Sequence, residues 1–458
     1  MIENDAFKLL LINLFHLNPD DIANILCTTF NKMMVLLVTL ADKHQACPYC
    51  GFTAPKIKEY VTKEITHSAL TTQKCIIKYR ARRYKCPCCG KTYYEFNPFV
   101  FKSQKISILT VHNILKDLKD FNETFTSVAR RYHVSPTSVS TIFDNHVDIG
   151  RNPLPEIINF DEVYAFKSEK SKYVCVLLDF KKQIPVDVLP NRKKEYLLNY
   201  FQKIPLEERK KVKYACSDMY EVYRDVVHKV FPCSCMLLDY FHLSQDFHRK
   251  MNEVRIKVMK GYKDNKASDE YYLLKKFNWL VFKNPEDEDK YGRLFDVERE
   301  RKYNSHFKSY MNYYDLRKKL LDINNDLTIC YSLKLELVDF YSKSTIDNAK
   351  VNLENLIRSC IDTNIDEMIA FSNNLINWKQ EIINSFTIVG TEYKVEADKG
   401  QVVVCNKKVN NAIIENRNKI IKCIKNNANG YTNWSRFRNR VMYVLDPNTT
   451  FSLEPREK

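Results

Sequence analysis

The spacing of apolar and polar positions divides the chain into segments of different period. Lys58–Thr66 and Cys75–Tyr84 alternate with a period of two and predict the strands of a long hairpin. Ser107–Leu118 then carries apolar residues at helical spacing, with Ser107 placed to cap its start. Thr126 to Phe143 predicts helix, short turn, helix: Ala129 is the small residue at the crossing, Ser135 the cap and Pro136 the first helical position. Val139, Ile142 and Phe143 form the apolar face of the second helix, which leaves Thr137, Ser138 and Thr141 outward. After the proline-containing segment Arg151–Pro155 the pattern becomes α/β. Strands are predicted at Ile157–Phe166, Lys172–Phe180, Ile184–Leu189, Val212–Ser217 and Cys235–Asp239, with helices at Lys194–Phe201 and Tyr220–Val230. Three strands in succession, followed by alternating helices and strands, is the element order of an RNase H-like core. Phe241–Phe386 is helical in period without a clean strand, and its acid cluster Glu286–Asp289 reads as a solvated turn. Val402–Asn448 returns to a strand-like start, a helix and an aromatic-basic tail.

These segments predict a multidomain α+β protein: an N-terminal helical segment (1–42), a zinc ribbon (43–98) and a helix-turn-helix domain (99–150). An RNase H-like core follows in two parts (151–255 and 387–458), interrupted by a helical insertion (256–386). The ribbon rests on two knuckles, Cys47-Pro-Tyr-Cys50-Gly51 and Cys86-Pro-Cys88-Cys89-Gly90. A glycine after the second cysteine suits the tight turn that aims two thiolates at one ion, so Cys47, Cys50, Cys86 and Cys89 are expected to hold structural Zn²⁺. Cys88 is a bystander, and the other ten cysteines are expected to be small buried hydrophobes.

Composition narrows the function. Eight glycines in 458 residues, with no GxG pair, argue against glycine-loop nucleotide folds. No apolar run is long enough to span a membrane. The acidic start MIENDAFKLLLINLF does not read as a signal peptide, and the chain is expected in the cytoplasm. The net charge of +16 predicts a polyanionic partner, most simply nucleic acid, which the zinc ribbon and helix-turn-helix narrow to double-stranded DNA; no membrane partner is expected. Ile65 to Tyr94 carries seven Lys or Arg and no acid, which makes Lys78, Arg80 and Arg82 candidates for phosphate contact; Arg130, Arg131, Thr137, Ser138 and Thr141 are candidates on the helical pair.

A two-metal nuclease core needs carboxylates brought together from distant positions. Asp161 lies mid-strand, with Asn159 and Val163 on its face and Glu162 on the other; Asp218 ends the fourth strand, where it could also serve as a helix cap. Asp239 ends the fifth strand and competes for the second or an auxiliary role. Glu415 is the sole acid among nine Lys or Arg from Gln401 to Arg440, on a helix that places Glu415, Asn418 and Lys422 opposite its isoleucines. Arg417 and Lys422 are further phosphate candidates.

The knuckles, the helical pair and the motifs FDE, SDMYEVY, LLDYFHL and NNAIIENRNKIIKCIKNNANGYTNWSRFRNRVMY resemble the ISL-three family of bacterial insertion-sequence transposases over nearly the whole chain. The resemblance implies a DDE core with Asp161, Asp218 and Glu415 as catalytic ligands of Mg²⁺ or Mn²⁺. It also implies binding to terminal inverted repeats, strand cleavage and strand transfer into target DNA, and a homodimer on DNA. Asp239 and His242 match its D-x-F-H segment, with no role assigned. Alternatives are a DNA-binding regulator or domesticated transposase without activity, and an RNA-processing nuclease on the same fold.

Overall fold

The computed structural model describes residues 2–43, 46–101, 104–166, 171–395 and 402–456. The segment expected to be helical up to residue 42 is α-helical only at Ile2–Leu14; Ile22–Phe30 and Met33–Leu40 are antiparallel strands. Asn31 and Lys32 both take positive φ (48° and 60°), which is the backbone of a tight two-residue hairpin turn. Met33–Leu40 then pairs in parallel with Cys75–Lys85, the second strand of the long hairpin that begins at Lys56–Thr66. The N-terminal strands and the expected ribbon are therefore one sheet, and Ile12, Phe15, Leu36, Ile65 and Ile77 share one core. Backbone pairing across sequence, invisible to local periodicity, erases the boundary at residue 42.

Three helices follow, Ile108–Asp117, Phe125–Arg131 and Pro136–His146; the first and third are capped as the sequence suggests, and the second by Thr124. The Ser107 and Ser135 hydroxyls accept from Thr110 N (3.2 Å) and Ser138 N (3.0 Å). Leu115, Val128, Ala129, Val139 and Phe143 are buried between the helices, and Thr137 and Thr141 face outward.

The central five-stranded sheet runs in the spatial order Cys235–Leu238, Tyr214–Ser217, Ile157–Val163, Val174–Asp179, Pro185–Leu189. The first three of these are mutually parallel, and the last two add as an antiparallel meander. Helices Lys194–Gln202 and Glu221–Val230 cover one face through Leu197, Phe201, Tyr223 and Val227. The other face is covered by Ala412–Asn427 and Trp434–Leu445 through Ile414, Ile421, Phe437 and Val441.

Helix Tyr240–Gly261 runs through residue 255, where the insertion was expected to begin, and its Phe247 and Met251 pack into the insertion's own core with Leu274, Leu337, Leu353 and Phe371. The insertion also holds two small hairpins, Glu288–Asp289 with Gly292–Arg293 and Lys302–Asn304 with Ser309–Met311. The acid cluster is thus part of a hairpin, with Asp289 bonded to Arg299 (2.6 Å).

Trp434–Leu445, expected as part of a tail, clamps the helical pair to the sheet. Arg438 bonds Asp187 Oδ1 of the last sheet strand (2.7 Å) and the Ile149 carbonyl (2.6 Å). Arg440, 1% exposed, donates to the carbonyls of Asp120 (2.8 Å) and Glu123 (2.9 Å). Removing Arg438 leaves the Asp187 carboxylate buried without its cation, so Arg438→Ala should lower stability by about 3 kcal/mol. Urea unfolding measures this; a loss below about 1 kcal/mol would rank the pair with surface ion pairs.

Candidate functional site

Strand register brings three aspartates together. Asn159 lies opposite Cys216, and Ser217 opposite Leu238. Continuing both pairs by the pleat places Asp161, Asp218 and Asp239 on one row across three adjacent strands. Neither strand-end aspartate is spent as a cap. Helix Glu221–Val230 starts after Tyr220 without a side-chain cap, and Asp239 makes no capping hydrogen bond to helix Tyr240–Gly261.

The fourth carboxylate arrives on helix Ala412–Asn427, which is held to the first core strand by buried amides. Asn159 Nδ2 donates to Asn411 Oδ1 (2.7 Å) and to the Asn410 carbonyl (2.8 Å). Asn411 Nδ2 donates to the Phe160 carbonyl (3.3 Å). One turn beyond Glu415, Asn418 Nδ2 donates to Asp161 Oδ2 (2.8 Å). Asn418 was expected with Lys422 on the outer side of the helix, but it is buried against the sheet, and Lys422 is exposed. The isoleucine face turned it inward: Ile414, Ile421 and Ile424 are buried on both sides of it along the helix.

Glu415 completes a cluster with Asp239 and His242, whose ligand atoms lie within 4.8 Å of one another. His242 Nε2 stands 3.8 Å from both Asp239 Oδ2 and Glu415 Oε1. Asp218 Oδ1, Asp239 Oδ2 and His242 Nε2 are buried without a hydrogen-bond partner. Burial and the neighbouring Asp218 charge push Asp161 up to about 7, and burial with repulsion from Glu162 pushes Asp218 up to about 6. Burial also raises Asp239. Two buried carboxylates with orphaned acceptors, Asp218 and Asp239, lie with Asp161, an imidazole without a hydrogen bond and Glu415 in a donor set suited to a hard divalent cation. Glu162 points away, as the pleat requires. It pairs with Arg192 and accepts from the Tyr223 hydroxyl (3.3 Å), while the Arg192 guanidinium lies over the rings of Tyr173 (4.6 Å) and Tyr220 (4.7 Å).

A second site lies in the N-terminal sheet. The Sγ atoms of Cys47 and Cys89 are 3.7 Å apart and those of Cys50 and Cys86 3.5 Å, all four within 4.8 Å. A tetrahedron with metal–sulfur bonds of about 2.3 Å has edges of about 3.8 Å, so the four thiols fit one ion. Gly51 and Gly90, at φ of 74° and 69°, close both knuckles by donating to the carbonyls of Cys47 and Cys86 (2.9 Å each). The amide groups of Cys89 and Cys88 hold the Cys86 thiol down to about 7. Cys88 is exposed, as expected of a bystander. Of the remaining cysteines, Cys75, Cys175, Cys216, Cys330 and Cys360 are buried, but Cys27, Cys233, Cys235 and Cys423 are exposed; the side chain of Cys405 lies outside the described residues.

The cations expected on DNA are unequally available. Lys78 pairs with Glu64 (2.7 Å) and Arg82 with Glu95 (2.8 Å), while Arg80 stacks on Tyr60 (4.9 Å) and has no acidic partner among the described residues. The acids lie just beyond the acid-free window and reach its cations through strand pairing. Arg131 pairs with Asp117 and Glu123, and Arg417 donates to the Gln183 carbonyl (3.0 Å). Arg130 and Lys422 are exposed and unpaired among the described residues.

Comparison with known proteins now adds to this geometry. A sequence model of the ISL3-type DDE transposases, described as transposase, matches residues 158–397, more than half of the chain. The chain belongs to this transposase family. A curated relative, the transposase for insertion sequence element IS1001 of Bordetella parapertussis, is 19% identical over 408 residues, covering 89% of this chain and 90% of the relative. The family match includes Asp161, Asp218, Asp239 and His242 and stops short of Glu415. Membership implies a DNA substrate and a divalent metal. No helix among the described residues is long and apolar enough to cross a membrane.

The carboxylate cluster makes the metal-free protein sensitive to pH. The folded Asp161 has a pKa of about 7, far above an ordinary aspartate, so the fold favours its protonated form. Its contribution to stability is present at low pH and is lost as pH rises through about 7. Without metal, the thermal midpoint should fall from about pH 4 to about pH 7, Asp161→Asn should flatten that slope, and added Mg²⁺ should raise the midpoint most above it. A pH slope unchanged in the variant would show that Asp161 is not the titrating group.

Proposed function

We propose that the protein is an insertion-sequence transposase that binds terminal inverted repeats and catalyses Mg²⁺-dependent strand cleavage and strand transfer. The observation that carries this reading is the row Asp161, Asp218 and Asp239, closed by Glu415 from a helix some 250 residues later in the chain. A regulator without catalysis has no need of buried carboxylates whose oxygens stay unpaired, as at Asp218 and Asp239, because they cost stability.

In this reading Asp161, Asp218 and Glu415 are the catalytic metal ligands, and the sheet order supports an RNase H-like core. Asp239 and His242 join the same site as ligand or positioning groups. Bound Mg²⁺ (or Mn²⁺) would neutralise phosphate charge and lower the pKa of an attacking water or 3′-hydroxyl. The chain's own contribution is placement: Asn418 orients Asp161, and the Asn159–Asn411 pair sets the height of Glu415 above the sheet. The helical pair acts as a helix-turn-helix, with Thr137, Ser138 and Thr141 toward base edges and Arg130 toward phosphate. Arg80 and Lys422 extend the phosphate track, whereas Lys78, Arg82, Arg131 and Arg417 already serve internal partners. The four-cysteine cluster holds structural Zn²⁺ in the N-terminal sheet. Two DNA ends joined in one reaction call for a homodimer on DNA, acting in the bacterial cytoplasm at the nucleoid.

Two measurements test the reading. With the element's own end duplex and Mg²⁺, Asp161→Asn, Asp218→Asn and Glu415→Gln should each lower cleavage by about 10³-fold or more while end binding persists. Retained cleavage in any of them removes that residue from the metal site. The purified protein should contain one equivalent of zinc, and Cys86→Ser should lose it and destabilise the N-terminal sheet. A zinc-free wild-type protein of unchanged stability would refute the structural ion.

A further inference from the structure

The strand Ile22–Phe30 lies at the edge of the N-terminal sheet and, among the described residues, pairs only with Met33–Leu40. The register fixes which of its backbone groups are free. Met34 donates its N–H away from this strand, to the Lys74 carbonyl (2.8 Å), so its cross-strand partner Thr29 turns N–H and C=O to the open side. Cys27 and Ile25 follow by alternation, because the register is unbroken from Asn24 to Phe30. The Ile25 amide is met by the Asn24 side chain (2.9 Å), and those of Cys27 and Thr29 have no partner among the described residues.

Proteins blunt a free sheet edge with charge, proline or a covering loop. This strand has nine residues, IANILCTTF, with neither charge nor proline, in a chain of net charge +16. Leu26 to Phe30 are all exposed, so both faces of the strand are open there. Helix Ile2–Leu14 covers the inner face in part. Its Leu11 and Ile12 enter the core with Ile25 and Leu36, while Phe7, Leu10 and Leu14 form an apolar stripe that is 53%, 59% and 47% exposed. A phosphate backbone finds no cation on this strand, so the edge does not suit nucleic acid.

We propose that the edge pairs with the same edge of a second copy of this chain, antiparallel about a twofold axis, joining two N-terminal sheets into one. A twofold contact is self-complementary, and each strand supplies the donors and acceptors that the other leaves free. The register that uses every outward group sets Cys27 opposite the partner's Cys27 and Ile25 opposite the partner's Thr29. Asn24 then yields the Ile25 amide to the partner's Thr29 carbonyl. Both helices lie on the inner side of the joined sheet, where their exposed stripes meet. Phe7, Leu10, Leu14, Leu26 and Phe30 each expose roughly 100 Å², so two copies bring about 1,000 Å² of apolar side chain, the area a specific interface needs. The interface rests on the strand edge and the helix stripe, not on the carboxylate cluster.

The test is sedimentation velocity of the full chain without DNA, in reductant, over a concentration series. Wild-type protein should dimerise with a Kd below about 10 μM. Thr29→Pro removes an outward amide at a sheet edge, where proline is tolerated, and Leu10→Glu charges the exposed stripe without touching the strand. Each should weaken the dimer at least about tenfold while the circular dichroism of the monomer is unchanged. Mild oxidation should link two chains through Cys27, because facing Cα atoms about 5.5 Å apart are within disulfide reach, and Cys27→Ser should remove that covalent dimer. A wild-type chain that is monomeric at about 100 μM overturns the proposal and leaves the edge to another partner. A dimer that both substitutions leave intact, or one in which Cys27 stays unlinked, also overturns it. If Thr29→Pro unfolds the sheet, Leu10→Glu and the Cys27 link decide. Cleavage is not read, so a failure of the nuclease reading leaves the interface standing, and a failure of the interface leaves the nuclease reading untouched.

Discussion

The site depends on the docking of one helix, Ala412–Asn427, against one strand, Ile157–Val163, through three buried asparagines. Asn159, Asn411 and Asn418 are at most 5% exposed, and a buried amide without partners is costly. Their bonds to one another, to the Phe160 and Asn410 carbonyls and to Asp161 form in a single register of helix on strand. A slip of one residue would turn Asn418 off Asp161 and Glu415 off His242. Because closing a longer loop costs only slowly increasing entropy, this docking tolerates a large insertion between the two elements. The insertion in turn has its own core and can be attached without weakening the sheet.

The same C-terminal region sets a second distance. Arg438 and Arg440 tie helix Trp434–Leu445 to the sheet strand at Asp187 and to the loop between the first two helices of the three-helix unit. Tyr443 adds a bond to the Leu115 carbonyl (3.0 Å), and Lys119 reaches back to the carbonyls of Asp446 and Thr449. The helical pair and the carboxylates are therefore fixed to one frame. A protein that recognises DNA at one place and acts on it at another gains a constant separation from such a frame.

Charge follows the same division. Several cations of the basic segments are already paired within the protein, where Lys78, Arg82, Arg83 and Arg131 meet acids across strands or helices. The candidate site is the reverse, a group of carboxylates poorly compensated within a chain of net charge +16. A negative hollow in a positive surface attracts metal ions locally and a polyanion overall.

Local chemistry in the sequence determined a good deal. The serine caps, Pro136 and the CxxCG knuckles mark turns whose geometry involves only a few neighbouring residues, and the core strands fall within a few residues of their predicted bounds. Asp161, Asp218 and Glu415 were legible because each stands out against its surroundings, mid-strand, at a strand end or in a basic helix. Other features came only with the tertiary structure. Asp239 and His242 join Glu415 because parallel register and helix docking bring them together, and no spacing in the sequence encodes that approach. Asn418 reads as an outward amide until the sheet covers it. The acid-free window around Arg80 looks like an open basic face until Glu64 and Glu95 cross to it by strand pairing. Periodicity reports the environment of a residue along its own element; which elements meet, and therefore which charges are spent and which remain free, is settled by packing between them.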